Sequence, residues 1–393
     1  MKARLLYCSS KELKEEFLRM DVHPEGIRLM LPKSASLPIK IDDLSPRQAN
    51  ILKQEMLACG GDAAVPYSAL SLEDRRISII LLGTLKQYER FLEKLSHQMC
   101  RLPELIPFIR TALYAAKSIE SPPFPRIMGI LNITQDSFSD PGAFFDPEKA
   151  YTRALKIEEE GADIIDIGAE STRPGSEPIS AKEEIERLLP LMKRLVKKLS
   201  IPISCDTYKP EVAERMLDLG VSIINDIYAL QYHPKMVEIV RKAQCPVILM
   251  HMKGTPATMQ KQVSYSDLIS EIYAFFKERI TFAESNGILS DKIILDPGIG
   301  FGKRPEDNAT LLRRLPEFLS LQKTLLVGTS RKAFLGILGN GSSVTDRLEE
   351  SISAAVFSFL RGASIIRAHD VRPTKKALTA IYGIIHANEN TRT

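Results

Sequence analysis

The sequence predicts an α/β protein, a (β/α)8 barrel preceded by a small α+β domain. Downstream of Arg126, short apolar, β-branched segments alternate with charged amphipathic ones, and the alternation occurs eight times. Eight strand–helix units in roughly 270 residues match a closed parallel barrel of the TIM type, for which about 250 is typical. No G-x-G-x-x-G follows the first strand, which disfavours the competing doubly wound open sheet.

Along the chain, residues 1–117 mix strand-like segments ("ARLLY", "GIRLML", "LPIKI", "ISIILLG") with helical ones ("KELKEEFLRM", "PRQANILKQEMLACGG", "LKQYERFLEKLSHQ"). They read as a small α+β domain with a split βαβ layout. Residues 118–126, "SIESPPFPR", form a linker, because three prolines in four residues disfavour helix and demand an extended crossing. Residues 127–393 are the barrel. Its expected strands are Ile127–Ile133, Asp163–Gly168, Ile201–Asp206, Ser222–Asp226, Pro246–His251, Lys292–Asp296, Thr324–Gly328 and Ser364–Ala368. Helical segments such as "DPEKAYTRALKIEEEG" and "KPEVAERMLDLG" lie between them. Gly161, Gly220, Gly287 and Gly362 supply helix stops.

Composition narrows the class of partner. The 393 residues carry 44% hydrophobic and 26% charged residues, ordinary for a soluble globular chain, and a net charge of only +4. So slight an excess predicts no nucleic-acid or membrane-surface partner. The five cysteines are scattered, with no C-x-x-C pair, which argues against a disulfide framework or zinc knuckle and fits a cytoplasmic protein. The N-terminus does not read as a signal peptide, and no apolar run approaches the ~18 residues of a membrane helix.

In a barrel of this type the active site lies at the C-terminal ends of the strands. Here every strand ends in polar or charged residues. In order they are Asn132 with "TQDSFSD", "DIGAESTRPGS", Asp206–Thr207, Asn225–Asp226, "MHMKG", "DPGIGFGK", "GTSRK", and Arg367, His369 and Asp370. Singly, each has a plainer reading. Asp206, Asn225 and Asp226 can cap helices, His369 can sit satisfied in the core, and Met250–His251–Met252 can simply pack.

Together they sort into two chemistries. Asp206, Asn225, Asp296 and Lys332 offer acceptors, an amide and a cation, the set that a flat heterocycle with an amidine-like edge and a carbonyl needs. Asn132, Thr172, Arg173, Arg367 and His369 offer donors and cations suited to a diphosphate bridged by a divalent ion. A heterocycle beside a diphosphate implies displacement of a good leaving group.

Eight motifs in order, "MGILNITQDSFSD", "DIGAESTRPG", "SCDTYKPEV", "IINDI", "LMHMKGTPATMQ", "LDPGIGFGK", "GTSRKAFLG" and "IIRAHDV", resemble the dihydropteroate synthase family over Arg126 to about Ala380. The family joins 6-hydroxymethyl-7,8-dihydropterin diphosphate to 4-aminobenzoate, releasing pyrophosphate. The resemblance implies that Asp206, Asn225, Asp296 and Lys332 hold the pterin. It implies Thr172, Arg367 and His369 as diphosphate contacts, with Asn132 reaching both the diphosphate and Mg²⁺. Phe138, Arg173, Pro174, Phe301 and Ser330 resemble the 4-aminobenzoate surroundings. Asp206, Asp140, Lys332 and Arg173 are the expected catalytic residues, in a dissociative displacement where loops exclude water. The family is often dimeric, so a homodimer is expected. Gln135, Pro141, Ala169 and Ala368 depart from the family's usual Pro, Gly, Gly and Val. Two alternatives stand beside this reading: a methyltetrahydrofolate-dependent methyltransferase of the related barrel group, and a non-catalytic pterin-binding homologue.

Overall fold

The structure is a computed structural model describing residues 4, 6, 9–70, 75–133, 146–171, 176–256, 258, 259, 263–339, 343 and 346–387. The chain divides into two compact units, Met1–Glu120 and Ser121–Thr393.

The first unit contains α1 (Ser10–Arg19), α2 (Pro24–Met30), β1 (Ser36–Leu44), α3 (Pro46–Ala58), β2 (Asp62–Ala64), β3 (Ile77–Thr84), α4 (Leu85–Leu95) and α5 (Ile106–Ser118). Strand β3 lies between β1 and β2 and runs antiparallel to both. The outer two are therefore parallel and α3 is their crossover, which is the split βαβ layout. Leu52 and Met56 of α3 and Tyr88 and Phe91 of α4 pack with Ile79 and Leu81 of β3 in one apolar core. "GIRLML", expected as a strand, is instead part of α2. Pro24 occupies the first turn and the His23 side chain accepts from the Glu25 amide, so the local start signal prevails over the apolar run. Strand β2 and helix α5 carried no clear signal, the first being only three residues long. "ARLLY" falls partly outside the described residues.

The second unit alternates β4 (Arg126–Asn132), α6 (Pro147–Glu159), β5 (Ile164–Gly168), α7 (Ala181–Lys198), β6 (Ile203–Asp206), α8 (Pro210–Leu219), β7 (Ile223–Asp226) and α9 (Lys235–Ala243). It continues with β8 (Val247–Met250), α10 (Leu268–Ser285), β9 (Ile293–Asp296), α11 (Pro305–Arg313), β10 (Thr324–Val327), α12 (Ala333–Leu338), α13 (Leu348–Leu360), β11 (Ile365–Ala368) and α14 (Val371–Ile385). The strands close a parallel barrel in the order β10-β11-β4-β5-β6-β7-β8-β9. Gly161, Gly220, Gly287 and Gly362 all have positive φ at the turns following α6, α8, α10 and α13.

Strand periodicity explains where the polar residues go. Met128, Ile164, Ile223, Ile248, Ile294, Leu326 and Ile365 form one buried cluster, distinct from the larger core between strands and helices. They fill the barrel interior. Side chains two positions further along a strand share its face. Stepping on by two gives Ile130, Asp166, Asn225, Met250, Asp296, Gly328 and Arg367, with Asp206 at the end of β6. One inward repeat is an apolar plug, and the next carries the charged and amide groups of a polar floor beside Ile130, Met250 and Gly328.

Candidate active site

The floor is organised around the Arg367 guanidinium. Its Nε donates to Asp166 Oδ2 at 2.7 Å and its Nη2 to Asp206 Oδ2 at 2.9 Å. Asn225 Nδ2 donates to the same Asp166 oxygen at 3.0 Å. Asp166 is fully buried, and its other oxygen, Oδ1, has no hydrogen-bond partner among the described residues. One carboxylate thus fixes both an amide and a cation of the floor. Gly168 makes room for Asp206, because a Cβ there would stand 3.1 Å from the Asp206 Cβ. Burial, and next the Asp166 charge, push the Asp206 carboxyl up to about 7 against the pull of Arg367.

On the other side, Asp296 Oδ1 accepts from the Gly298 amide at 2.8 Å, and burial raises its carboxyl against the opposing pull of Lys332. Lys332, at the start of α12, donates to the Ile299 carbonyl, and its Nζ stands 4.8 Å from the Phe301 ring centre. Burial lowers its ammonium to about 8. Phe301 packs on Tyr208, Ile227 and Met250 in an apolar cluster at the same strand ends. Ser330 and His369 meet directly, His369 Nδ1 lying 3.0 Å from Ser330 Oγ. Arg331 is held aside by Asp370 at 2.7 Å. Asn132 ends β4 and is half-buried.

The structure therefore brings Asp206, Asn225, Asp296, Lys332 and Arg367 to one end of the barrel, with Asn132, Phe301, Ser330 and His369 at the ends of neighbouring strands. Phe138, Asp140, Thr172, Arg173 and Pro174 lie outside the described residues, as do Gln135 and Pro141. Helix capping fails as an explanation for Asp206, which pairs with Arg367; Lys209 is the residue at the N-cap of α8. For Asp226 a local role holds, since its carboxylate accepts from the Tyr228 and Leu230 amides at 2.8 and 2.7 Å. His251 packs on Phe275 and faces Lys303.

Sequence reasoning placed Asp166 in the second strand-end motif but gave it no role. Its signal was an acid on the inward face of an otherwise apolar strand, "IIDIG". It also missed a buried cluster beside the site, where Lys209 lies between Glu170 and Glu184 while the Tyr208 hydroxyl donates to Glu170 at 2.8 Å. Lys303 was read only as the end of a glycine-rich loop.

A family model described as pterin binding enzyme matches residues 128–369. A dihydropteroate synthase of Synechocystis is 44% identical over 245 residues, covering 62% of this chain and 85% of that protein. A probable bifunctional folylpolyglutamate synthase/dihydropteroate synthase of Halobacterium salinarum is 34% identical over 375 residues, covering 92% of this chain and 44% of its own length. That alignment extends into the first unit. Among solved structures, Xanthomonas albilineans dihydropteroate synthase with 4-aminobenzoic acid superposes with a TM-score of 0.63 at 39% identity, covering 69% of this chain and 96% of that one.

Proposed function

The chain belongs to the pterin-binding enzyme family, in its dihydropteroate synthase branch, and we propose from that premise how its residues divide the reaction. The reaction joins 6-hydroxymethyl-7,8-dihydropterin diphosphate to 4-aminobenzoate, giving 7,8-dihydropteroate and pyrophosphate. The observation that carries this reading is the floor, where acceptors (Asp206, Asn225) share one network with a cation (Arg367) whose charge also acts on Asp296. A methyltransferase pocket needs the acceptors, but not the cation.

In this reading, Asp296 and Asp206 accept the N–H groups of the pterin's amidine edge, Asn225 bonds both ways, and Lys332 donates to the ring carbonyl. Arg367, His369 and Asn132 face the diphosphate, with Thr172 completing that set by motif. Phe301, Ser330, Phe138, Arg173 and Pro174 surround 4-aminobenzoate. The methylene C–O bond breaks with its electron pair leaving on diphosphate. The neutral aniline nitrogen forms the new C–N bond and then loses its proton. Negative charge at Asp206, joined by Asp140, favours the cationic methylene, and Arg367 meets the charge developing on the leaving group. Arg173 and Lys332 complete the proposed catalytic set.

Mg²⁺ is part of the proposal. Among the described residues no three His, Cys, Asp or Glu side chains gather as a metal cage. Asn132 offers one neutral oxygen at a strand end. That donor set fits Mg²⁺, which keeps several waters and takes its other ligands from substrate phosphates. When bound, it would offset charge on the diphosphate. A cytosolic homodimer completes the reading, and the free Cys59, Cys100, Cys205 and Cys245 fit a reducing compartment. Among the described residues no helix is long and apolar enough to cross a membrane.

The test is incubation of the full chain with labelled 4-aminobenzoate, the pterin diphosphate and Mg²⁺. Pyrophosphate release with formation of labelled dihydropteroate is expected, and no release would sink the synthase reading.

The pH profile of kcat/KM gives a second check. Asp206 must be ionised to accept and Lys332 protonated to donate, so activity should fall below about 7 and above about 8. A flat profile from pH 6 to 9 would contradict both assignments.

A further inference from the structure

Lys303 is 2% exposed, and its ammonium is met by carbonyls and a ring nitrogen in place of a carboxylate hydrogen bond. Its Nζ reaches the Gly298 and Phe301 carbonyl oxygens at 3.0 Å each. It also reaches the His251 carbonyl oxygen at 3.2 Å and His251 Nδ1 at 2.9 Å. These acceptors come from two loops, one after β8 and one after β9. The loops touch backbone to backbone. A Cβ on Gly298 would lie 1.9 Å from the His251 carbonyl oxygen, and one on Gly302 would lie 2.3 Å from that of Lys253. So close an approach leaves carbonyl oxygens converging away from water, and each needs a donor. Lys303 supplies three N–H groups from one atom.

The loop it holds carries the floor. The Gly298 amide fixes Asp296, whereas the Gly298 carbonyl rests on Lys303. Ile299, between those glycines, presents the carbonyl that Lys332 meets, and Phe301 presents both its ring to Lys332 and its carbonyl to Lys303. The remaining backbone is pinned from outside: Asn308 Oδ1 accepts from the Gly300 amide at 2.7 Å, and the Tyr265 hydroxyl donates to the Gly302 carbonyl at 2.7 Å. Burial lowers the Lys303 ammonium to about 7, and where it is charged it also favours the ionised form of Asp296.

We propose that Lys303 is a positioning residue for pterin recognition, a built-in amine donor that clamps the β8 and β9 loops so that Asp296, Lys332 and Phe301 present one ordered face. It touches no substrate. It rests on the pterin assignment of Asp296 made above, and Asp296→Asn is therefore measured beside it.

The experiment is calorimetric binding of 6-hydroxymethyl-7,8-dihydropterin to the full chain carrying Lys303→Ala or Lys303→Met. Each should bind roughly 10- to 100-fold more weakly, the range seen when an outer-shell partner of a ligating group is removed. Alanine deletes a fragment equivalent to n-propylammonium, so that ion should restore binding to Lys303→Ala. It should leave Lys303→Met, whose side chain fills the space, unchanged. Affinity within about twofold of the parent overturns the proposal even if the melting temperature falls, as does a loss in Lys303→Ala that propylammonium does not reverse. Should Lys303→Ala not fold, Lys303→Met decides, by its affinity and by a pterin diphosphate KM that rises while kcat holds. Unchanged affinity in Asp296→Asn would instead refute the pterin assignment itself.

Discussion

Asp296→Ala and Lys332→Ala are each expected to abolish measurable pterin binding. Asp296 is buried and held by the Gly298 amide, so its free oxygen is an acceptor of fixed direction. A ring N–H that loses such an acceptor is left desolvated with nothing to bond. A site built to hydrogen-bond its ligand typically loses 10⁴-fold or more when one partner is missing, and roughly 10³-fold is the floor expected here. For Lys332 the loss is of the cation that offsets the Asp296 charge and that is proposed to donate to the ring carbonyl. Calorimetry with 6-hydroxymethyl-7,8-dihydropterin measures both. Unchanged affinity in both variants would refute the pocket assignment.

Asp166→Asn should be the most damaging change at a residue outside the substrate contacts. Its carboxylate anchors Arg367 and Asn225 together, at 2.7 and 3.0 Å. The asparagine is isosteric but uncharged, so the pair it leaves is a buried guanidinium with one carboxylate in place of two. Removing one partner of a buried ion pair costs about 3–5 kcal/mol, and a large part should appear as lost stability in a denaturant titration. Activity should fall roughly 10²-fold, because the Arg367 and Asn225 positions loosen by a fraction of an ångström. A third readout separates this from general damage. The Asp166 charge helps push the Asp206 carboxyl up, so its removal must move the acid limb of the kcat/KM profile to lower pH. An unmoved limb would show that the Asp166 charge does not raise the Asp206 carboxyl.

Legibility in the sequence followed the range of the interactions. The barrel was readable because strand, helix and glycine stop each leave a local signature, and eight repeats of one signature admit few topologies. Strand limits shifted by one or two residues, as at Ile203–Asp206, where the ladder begins later than the apolar run. In the first unit, the apolar run "GIRLML" misled because Pro24 and His23, just ahead of it, set a helix start.

Asp206, Asn225, Asp296, Lys332 and Arg367 were legible as a set because position at a strand end is itself a sequence property. Their pairing was not. Arg367 lies 201 residues from Asp166, and nothing local announces that one guanidinium will serve two carboxylates.

By itself, then, the sequence determined the architecture, the mouth of the barrel and the inventory of groups there, since period and punctuation are local. Only the tertiary structure decided which carboxylate holds which cation, that Asp166 is the hub, and that Lys303 closes two loops. Those choices depend on distances between strands brought side by side by barrel closure, and on burial, which sets how strongly each charge must be met.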